Sequence, residues 1–157
     1  MSEPDLERFD RLVGRWATEA THPATGELII HGTADVEWLT GRRFLIHRAG
    51  NDHPDFPDSI SIIGVFDRDR VDDPAGDADD PTESLRMHYF DSRGVFRVYE
   101  VGIDDFAWRM RRDAPGFSQR FTGVWAEMAN TLVGQWELNE DDRNWADDLR
   151  ITYRRQT

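Results

Sequence analysis

One predicted hairpin, residues 83–103, concentrates the side chains that could do chemistry. If Asp91–Gly94 forms its turn, His88 lies opposite Arg97 and Arg86 lies opposite Tyr99, all on one face. An imidazole or a phenol can transfer a proton, and a guanidinium can stabilise an anion. This face of the hairpin therefore predicts a site for a small polar or anionic group.

Two orientations of the hairpin are possible, because a shift of one residue turns a strand over. In the first, which the alternation of apolar residues favours, the apolar set faces the core, namely Leu85, Met87, Tyr89, Phe96 and Val98. In the second, a polar corner faces inward, formed by His88, Phe90, Arg97 and Tyr99. A buried Arg97 would then need an anionic partner, which could be a ligand carboxylate, Glu37 or Asp35. Gln119 and Arg120 lie on the next predicted hairpin, and either of them could likewise face the barrel interior.

Six tryptophans could form either a packed core or the aromatic wall of a cavity. Trp38 and Trp108 are predicted to line a cavity, because each shares a strand face with medium-sized apolar residues. Trp16 is predicted to be structural, and Ile60 and Ile62 would add apolar wall. The predicted ligand-binding residues are therefore Trp38, His88, Arg97, Tyr99, Trp108 and Gln119.

The sequence contains no motif for metal binding, for thiolate or Schiff-base catalysis, or for calcium binding. The five histidines show no H-x-H or H-x-x-x-H spacing, so no metal site is expected, although His31 and His47 could be neighbours on adjacent strands. Cysteine and lysine are both absent, which excludes thiolate and Schiff-base catalysis. The acidic segment 67–82 lacks the spacing of a calcium-binding loop and is expected to be solvated.

The charge of the chain restricts its partners. Thirty-one acidic residues stand against nineteen basic residues, all arginine, for a formal net charge of -12. Such a protein repels nucleic acid and anionic membranes, so neither is an expected partner. The acids concentrate in loops whereas the arginines lie largely within strands, so a small anionic ligand stays compatible with the charge. An N-terminus without an apolar run predicts a cytoplasmic protein.

The elements that must position these residues are mostly strands. Apolar residues at helical spacing predict one short helix over residues 3–13, capped by Ser2 and ended by Gly14. After Gly14, apolar residues recur at every second position, which is typical of strands. About ten strands are predicted over residues 15–155, joined mostly by short turns. Closing these strands into an up-and-down barrel removes exposed edges. A Greek-key sandwich is the alternative, but short turns favour the barrel. The chain, 1–157, is predicted to be one barrel domain.

Several motifs resemble one bacterial family. Gly14-Arg15-Trp16 is similar to the G-x-W signature of lipocalin-like barrels. Further matches run along the chain: Glu37-Trp38-Leu39, the run from Met87 to Val95 with Arg97 and Tyr99, the run from Phe117 to Gly123, Gly134-x-Trp136-Glu137, Trp145, and Tyr153-Arg154. Together they resemble uncharacterised, nitrobindin-like ten-stranded barrels of the calycin group.

The resemblance implies a lipocalin-like barrel with an internal cavity and carries no established reaction. Nitrobindin-type relatives hold haem through a histidine near the C-terminus. In this sequence the last histidine is His88, so no cofactor is expected.

These features lead to one functional expectation and two alternatives. The protein is expected to bind a small, largely apolar ligand inside the barrel, with an anionic group on the ligand as one option. An isomerase or cyclase could use the same pocket, with His88 or Tyr99 as acid/base and Arg97 as anion stabiliser. The outer barrel face could also form a homodimer.

Overall fold

Alternating side chains build ten antiparallel strands in the computed structural model, which describes residues 6–65 and 85–157. The strands are β1 (Gly14–Thr21), β2 (Ile30–Trp38), β3 (Phe44–Asn51), β4 (Ser59–Val65), β5 (Leu85–Asp91), β6 (Phe96–Ile103), β7 (Ala107–Arg112), β8 (Ser118–Ala126), β9 (Thr131–Asn139) and β10 (Ala146–Arg155). Every strand pairs with its neighbour in sequence, and β10 pairs with β1 to close the ring. The predicted ten-stranded up-and-down barrel is confirmed.

The N-terminal helix is more tightly wound than the sequence predicts. It is a 3₁₀ helix over Leu6–Leu12, with Phe9 and Leu12 buried. The amide of Val13 still bonds the carbonyl of Asp10, three residues back, which is the 3₁₀ pattern. A second 3₁₀ turn spans Pro23–Thr25. Residues 3–5 of the predicted helix and the predicted acidic loop, 67–82, lie outside the described residues. None of the described helices is long and apolar enough to cross a membrane.

The N-terminal helix closes one end of the barrel through the first and last strands. The Trp16 indole N–H donates to the carbonyl of Leu12 at 2.8 Å. The Arg155 guanidinium lies 4.2 Å from the Trp16 ring centroid and donates to the carbonyl of Val13 at 2.6 Å. It also donates to the carbonyl of Arg11. The carbonyls at the end of the helix are therefore satisfied by side chains rather than left unpaired.

The register of the β5–β6 hairpin differs by one residue from the predicted one. Tyr89 pairs with Arg97 and Met87 pairs with Tyr99, so His88 is not opposite Arg97. Gly94, at φ 86°, adds a left-handed residue to the turn and lengthens the loop to three residues. Each of the two predicted orientations is therefore correct for one strand. Met87 and Tyr89 face inward on β5, as in the first, and Arg97 and Tyr99 face inward on β6, as in the second.

The core below the cavity depends on one close approach of a ring to a backbone. The Phe121 ring, 1% exposed, packs over Gly134 on the neighbouring strand. A Cβ atom on Gly134 would lie 2.3 Å from the Cε2 atom of Phe121. Glycine is therefore required there for space rather than for backbone conformation.

Gly134→Ala is expected to lower the free energy of unfolding by about 1–3 kcal/mol, because the buried Phe121 ring must move. Gly102→Ala is the matched control, since a Cβ there meets nothing within 4 Å. Urea unfolding of both variants checks this expectation. Equal stabilities would show that the ring does not need the glycine.

Candidate functional site

A cavity of about 270 Å³ lies inside the barrel, at the end opposite the N-terminal helix. It exists because the two sides of the wall carry side chains of different size. Small residues face it from β1, β3 and β4, namely Thr18, Ala20, Ala49, Ser59 and Ser61. Large aromatic rings face it from β6, β7 and β9, namely Tyr99, Trp108 and Trp136. The small residues leave a space that the rings do not fill.

The aromatic side of the wall is a continuous chain of rings. The ring centroids of Trp108 and Phe121 are 5.1 Å apart, and those of Phe121 and Trp136 are also 5.1 Å apart. Tyr99 follows at 5.5 Å from Trp136, and Tyr89 at 6.4 Å from Tyr99. These separations are typical of favourable aromatic pairs, so the rings stabilise one another and form a largely apolar wall.

Arg97, Tyr99 and Gln119 form a polar corner of this cavity. The Tyr99 hydroxyl donates to Oε1 of Gln119 at 3.0 Å, and both residues are buried. The amide oxygen of Gln119 is thereby used, which leaves its NH₂ group as a donor. Burial raises the pKa of Tyr99, although a hydrogen bond with Arg97 and the nearby charges of Arg97 and Arg112 oppose this rise. The Arg97 guanidinium lies 5.2 Å from the ring centroid of Phe117.

The carboxylate of Asp91, close to this corner, is already neutralised. Its side chain is 0% exposed and accepts from the Arg93 guanidinium at 2.6 Å and from the Tyr89 hydroxyl at 2.9 Å. Burial alone would raise the pKa of Asp91, but hydrogen bonds from Arg93, Tyr89 and the amide of Val95 lower it to about 2. Asp91 is therefore a structural anion whose charge is compensated by Arg93.

A second group of cavity residues, here called the deep wall, consists of His47, Trp108 and Tyr153. The His47 ring lies 6.4 Å from Trp108 and 6.3 Å from Tyr153, measured between centroids. The Nε2 atom of His47 and the Nε1 atom of Trp108 are buried and have no hydrogen-bond partner. Burial lowers the pKa of His47 to about 4 and raises the pKa of Tyr153. At neutral pH the deep wall is polar but uncharged.

The other histidine of the cavity, His22, is fully hydrogen-bonded. Its Nε2 atom lies 2.7 Å from an Asp148 carboxylate oxygen, and its Nδ1 atom accepts from the amide of Ala24 at 3.0 Å. Because both ring nitrogens are occupied, His22 has no free position for a ligand.

The structure brings four of the six predicted ligand-binding residues to the cavity: Arg97, Tyr99, Trp108 and Gln119. Trp38 faces inward but lies at the closed end, where its indole N–H donates to Asp10 at 2.8 Å. His88 alternates with the inward-facing Met87 and Tyr89, so it lies on the outer face, 5.9 Å from Phe96 between ring centroids. Neither lines the cavity.

Sequence reasoning did not predict that His47 and Tyr153 line the cavity. Both lie on inward-facing positions of strands, so the alternation of β3 and β10 could have identified them as interior. Ile60 and Ile62, predicted as cavity wall, are absent from the lining, because the inward positions of β4 are Ser59 and Ser61.

The cavity does not fit haem, the group that nitrobindin-type relatives hold. Both nitrogens of His22 are used, and a cavity of about 270 Å³ is too small to hold a porphyrin beside His47. Burial keeps Tyr153 in its neutral phenol form, which is a poor iron ligand. Across residues 6–65 and 85–157, no three His, Cys, Asp or Glu side chains converge as a metal site would require.

Comparisons with known proteins support the fold. Neither a protein-family model nor a curated protein matches the chain. The crystal structure of Rv2717c from M. tuberculosis is similar, with a TM-score of 0.63, 9% identity, and coverage of 99% of this chain and 100% of that chain. The S-type phycobiliprotein lyase CPES from Guillardia theta is also similar, with a TM-score of 0.54, 9% identity, and coverage of 96% and 92%. These likenesses fit a lipocalin-like barrel fold.

Protonation of His47 is expected to destabilise the barrel. Its pKa rises from about 4 in the folded state to the ordinary 6.5 on unfolding, so the unfolded chain binds more protons below pH 6.5. The contribution of His47 is complete above pH 6.5, and falls by up to about 3 kcal/mol as the pH drops towards 4. Urea unfolding across this range measures the loss.

His47→Leu should remove this part of the pH dependence, because leucine does not titrate. His31→Leu, at an exposed position of β2, is the matched control and should keep it. An unchanged pH dependence in His47→Leu would show that His47 does not titrate as the burial of its ring requires.

Proposed function

We propose that this protein binds one small, largely apolar carboxylic acid inside its barrel. The observation that carries this proposal is Arg97, a cation that lines the cavity without forming a salt bridge to any described residue. The carboxylate of the ligand lies at Arg97 and its apolar body lies along the aromatic wall. The family assignment to nitrobindin-like barrels is part of the same proposal and rests on the sequence motifs alone.

The environment of Arg97 differs from that of the arginines on the outer surface. There, several guanidinium groups pair with carboxylates: Arg15 with Asp35, Arg48 with Glu37, Arg109 with Asp104, Arg111 with Asp113 and Arg120 with Glu137. The partners predicted from the sequence for an inward Arg97, Asp35 and Glu37, are therefore taken by outer arginines. The acid nearest the corner, Asp91, is compensated by Arg93.

A guanidinium in a partly desolvated site is stabilised by an anion that accepts from its fork of N–H donors. No carboxylate of the described chain is in position to do so, and the NH₂ group of Gln119 adds another donor to the same corner. The corner therefore offers donors and a positive charge but few acceptors. A carboxylate on the ligand supplies what the corner lacks.

The remaining wall sets the size and polarity of the ligand. A volume of about 270 Å³ lies just under the usual range of ligand pockets, about 300–1,000 Å³, so the ligand is small. The apolar side chains that contact its body include Ala20, Met87, Met110, Trp136 and Ile151. Burying this body on the rings provides affinity, and Arg97 fixes its direction.

The isomerase or cyclase alternative gains no support from the geometry. His88, one proposed acid/base, lies outside the cavity lining. Tyr99 lies inside, but its hydroxyl donates to Gln119 and its pKa is raised, which makes it a poor base at neutral pH. The phycobiliprotein lyase of similar fold is named as an enzyme, but at 9% identity it is evidence for fold only. The cytoplasmic location, the homodimer and the absence of a nucleic-acid partner remain predictions from the sequence.

Arg97→Gln is expected to weaken the binding of a medium-chain carboxylate by about ten- to hundredfold, because a charged hydrogen bond is lost. Isothermal titration calorimetry on the full chain measures the dissociation constants. Arg15→Gln is the matched control, since its side chain is 74% exposed and pairs with Asp35 outside the barrel.

The methyl ester of the same acid provides a second comparison, because it keeps the apolar body and removes the charge. The ester should bind the native protein and Arg97→Gln about equally. Equal binding of acid and ester to the native protein would contradict the role of Arg97.

A further inference from the structure

Two buried ring nitrogens of the deep wall have hydrogen-bonding capacity that the protein does not use. They are Nε2 of His47, a residue 9% exposed, and Nε1 of Trp108, a residue 2% exposed. Buried polar groups in proteins almost always have a partner, and each one left without a partner costs about 1–3 kcal/mol. Two such atoms in one cavity wall point to a ligand group that completes them.

The position of these two atoms separates them from other unpaired polar groups of the described chain. Nε1 of Trp125 and Oδ1 of Asn139 are also buried without partners, but neither residue lines the cavity. His47 and Trp108 both line it and are neighbours, with ring centroids 6.4 Å apart. A single ligand group can therefore serve both rings.

The chemistry of the two nitrogens selects that group. An indole N–H can only donate, so Trp108 requires an acceptor. Nε2 of a neutral imidazole donates or accepts according to its tautomer. A hydroxyl can accept from Trp108 and, at the same time, donate to or accept from His47.

A carboxylate is disfavoured at the deep wall. Tyr153 packs on His47 at 6.3 Å between centroids, and burial raises the pKa of Tyr153. His47 itself stays neutral above about pH 4. An anion there would lose its hydration without gaining a counter-charge. The charged end of a ligand therefore lies at Arg97, on β6, and the deep wall receives a neutral end.

We propose that the cavity selects carboxylic acids that carry a hydroxyl group at the end remote from the carboxylate, and that His47 and Trp108 bind this hydroxyl. This inference rests on the proposed function, since it takes Arg97 as the site of the carboxylate. It adds a specificity that Arg97 alone does not provide. Arg97 distinguishes an acid from an ester, whereas the deep wall distinguishes a hydroxylated acid from a plain one.

Unbranched medium-chain acids and their ω-hydroxy counterparts of equal length test this specificity. In a purely apolar cavity the hydroxyl weakens binding, because it loses its hydrogen bonds to water. With the deep wall, the best-fitting ω-hydroxy acid should bind about tenfold tighter than the plain acid. The sign of this difference, measured by isothermal titration calorimetry on the full chain, is the result that decides.

Trp108→Phe keeps an aromatic ring and removes the N–H, so the preference for the hydroxy acid should disappear or reverse. Trp136→Phe is the matched control in the same cavity, and it should keep the preference whatever it does to overall affinity, because Nε1 of Trp136 is not an unpaired buried atom. If Trp108→Phe fails to fold, His47→Leu provides the same test, with the same expected loss of preference.

The outcomes separate the two proposals. Plain and hydroxylated acids that bind the native protein equally, or a preference that survives both Trp108→Phe and His47→Leu, would overturn the role of the deep wall and leave Arg97 untouched. A native protein that binds neither acid would overturn the proposed function and this inference together.

Discussion

The pairing of the first strand with the last is the constraint on which the rest of this structure depends. Six residue pairs, from Trp16 with Arg155 to Thr21 with Arg150, join β1 to β10 and leave no free edge in the ring. Closure divides every strand into an inner and an outer face. It also brings Arg155 to the end of the N-terminal helix, where its guanidinium satisfies helix carbonyls. One end is sealed in this way, and the space inside is left for the opposite end.

That space has two polar regions of different character, and the difference follows from where the charges are. The chain carries a net charge of -12, yet many acids of the described residues form salt bridges with arginines on the outer surface. Inside, Arg97 supplies a cation near the polar corner, and His47 and Trp108 supply neutral nitrogens at the deep wall. A ligand that matches both regions has a defined direction, because exchanging its ends would bury an anion without a cation. An acidic protein can therefore present a cavity for an acid.

The sequence predicts the strands better than the site, for physical reasons. A period of two is visible along each strand, because burial of one face repeats at every second residue. The position of a residue along the barrel axis has no comparable pattern in the sequence, so it cannot be predicted in this way. Trp38 and Trp108 both face inward, but one lies at the sealed end and the other in the cavity. In the β5–β6 hairpin, Gly94 lengthens the turn by one residue, which places Tyr89 rather than His88 beside Arg97. From the sequence alone, a single inward-facing histidine such as His47 is interpreted as part of the packed core. Its place in a cavity wall becomes clear only when the small side chains around that cavity are known.

A crystal structure of the full chain with a medium-chain carboxylate tests the central claim most directly. The carboxylate is predicted to lie within hydrogen-bond distance of the Arg97 guanidinium, with the apolar chain inside the barrel along Trp136 and towards Trp108. A carboxylate bound on the outer surface, or an acid inside the barrel with its charged end at His47 and away from Arg97, would contradict this account.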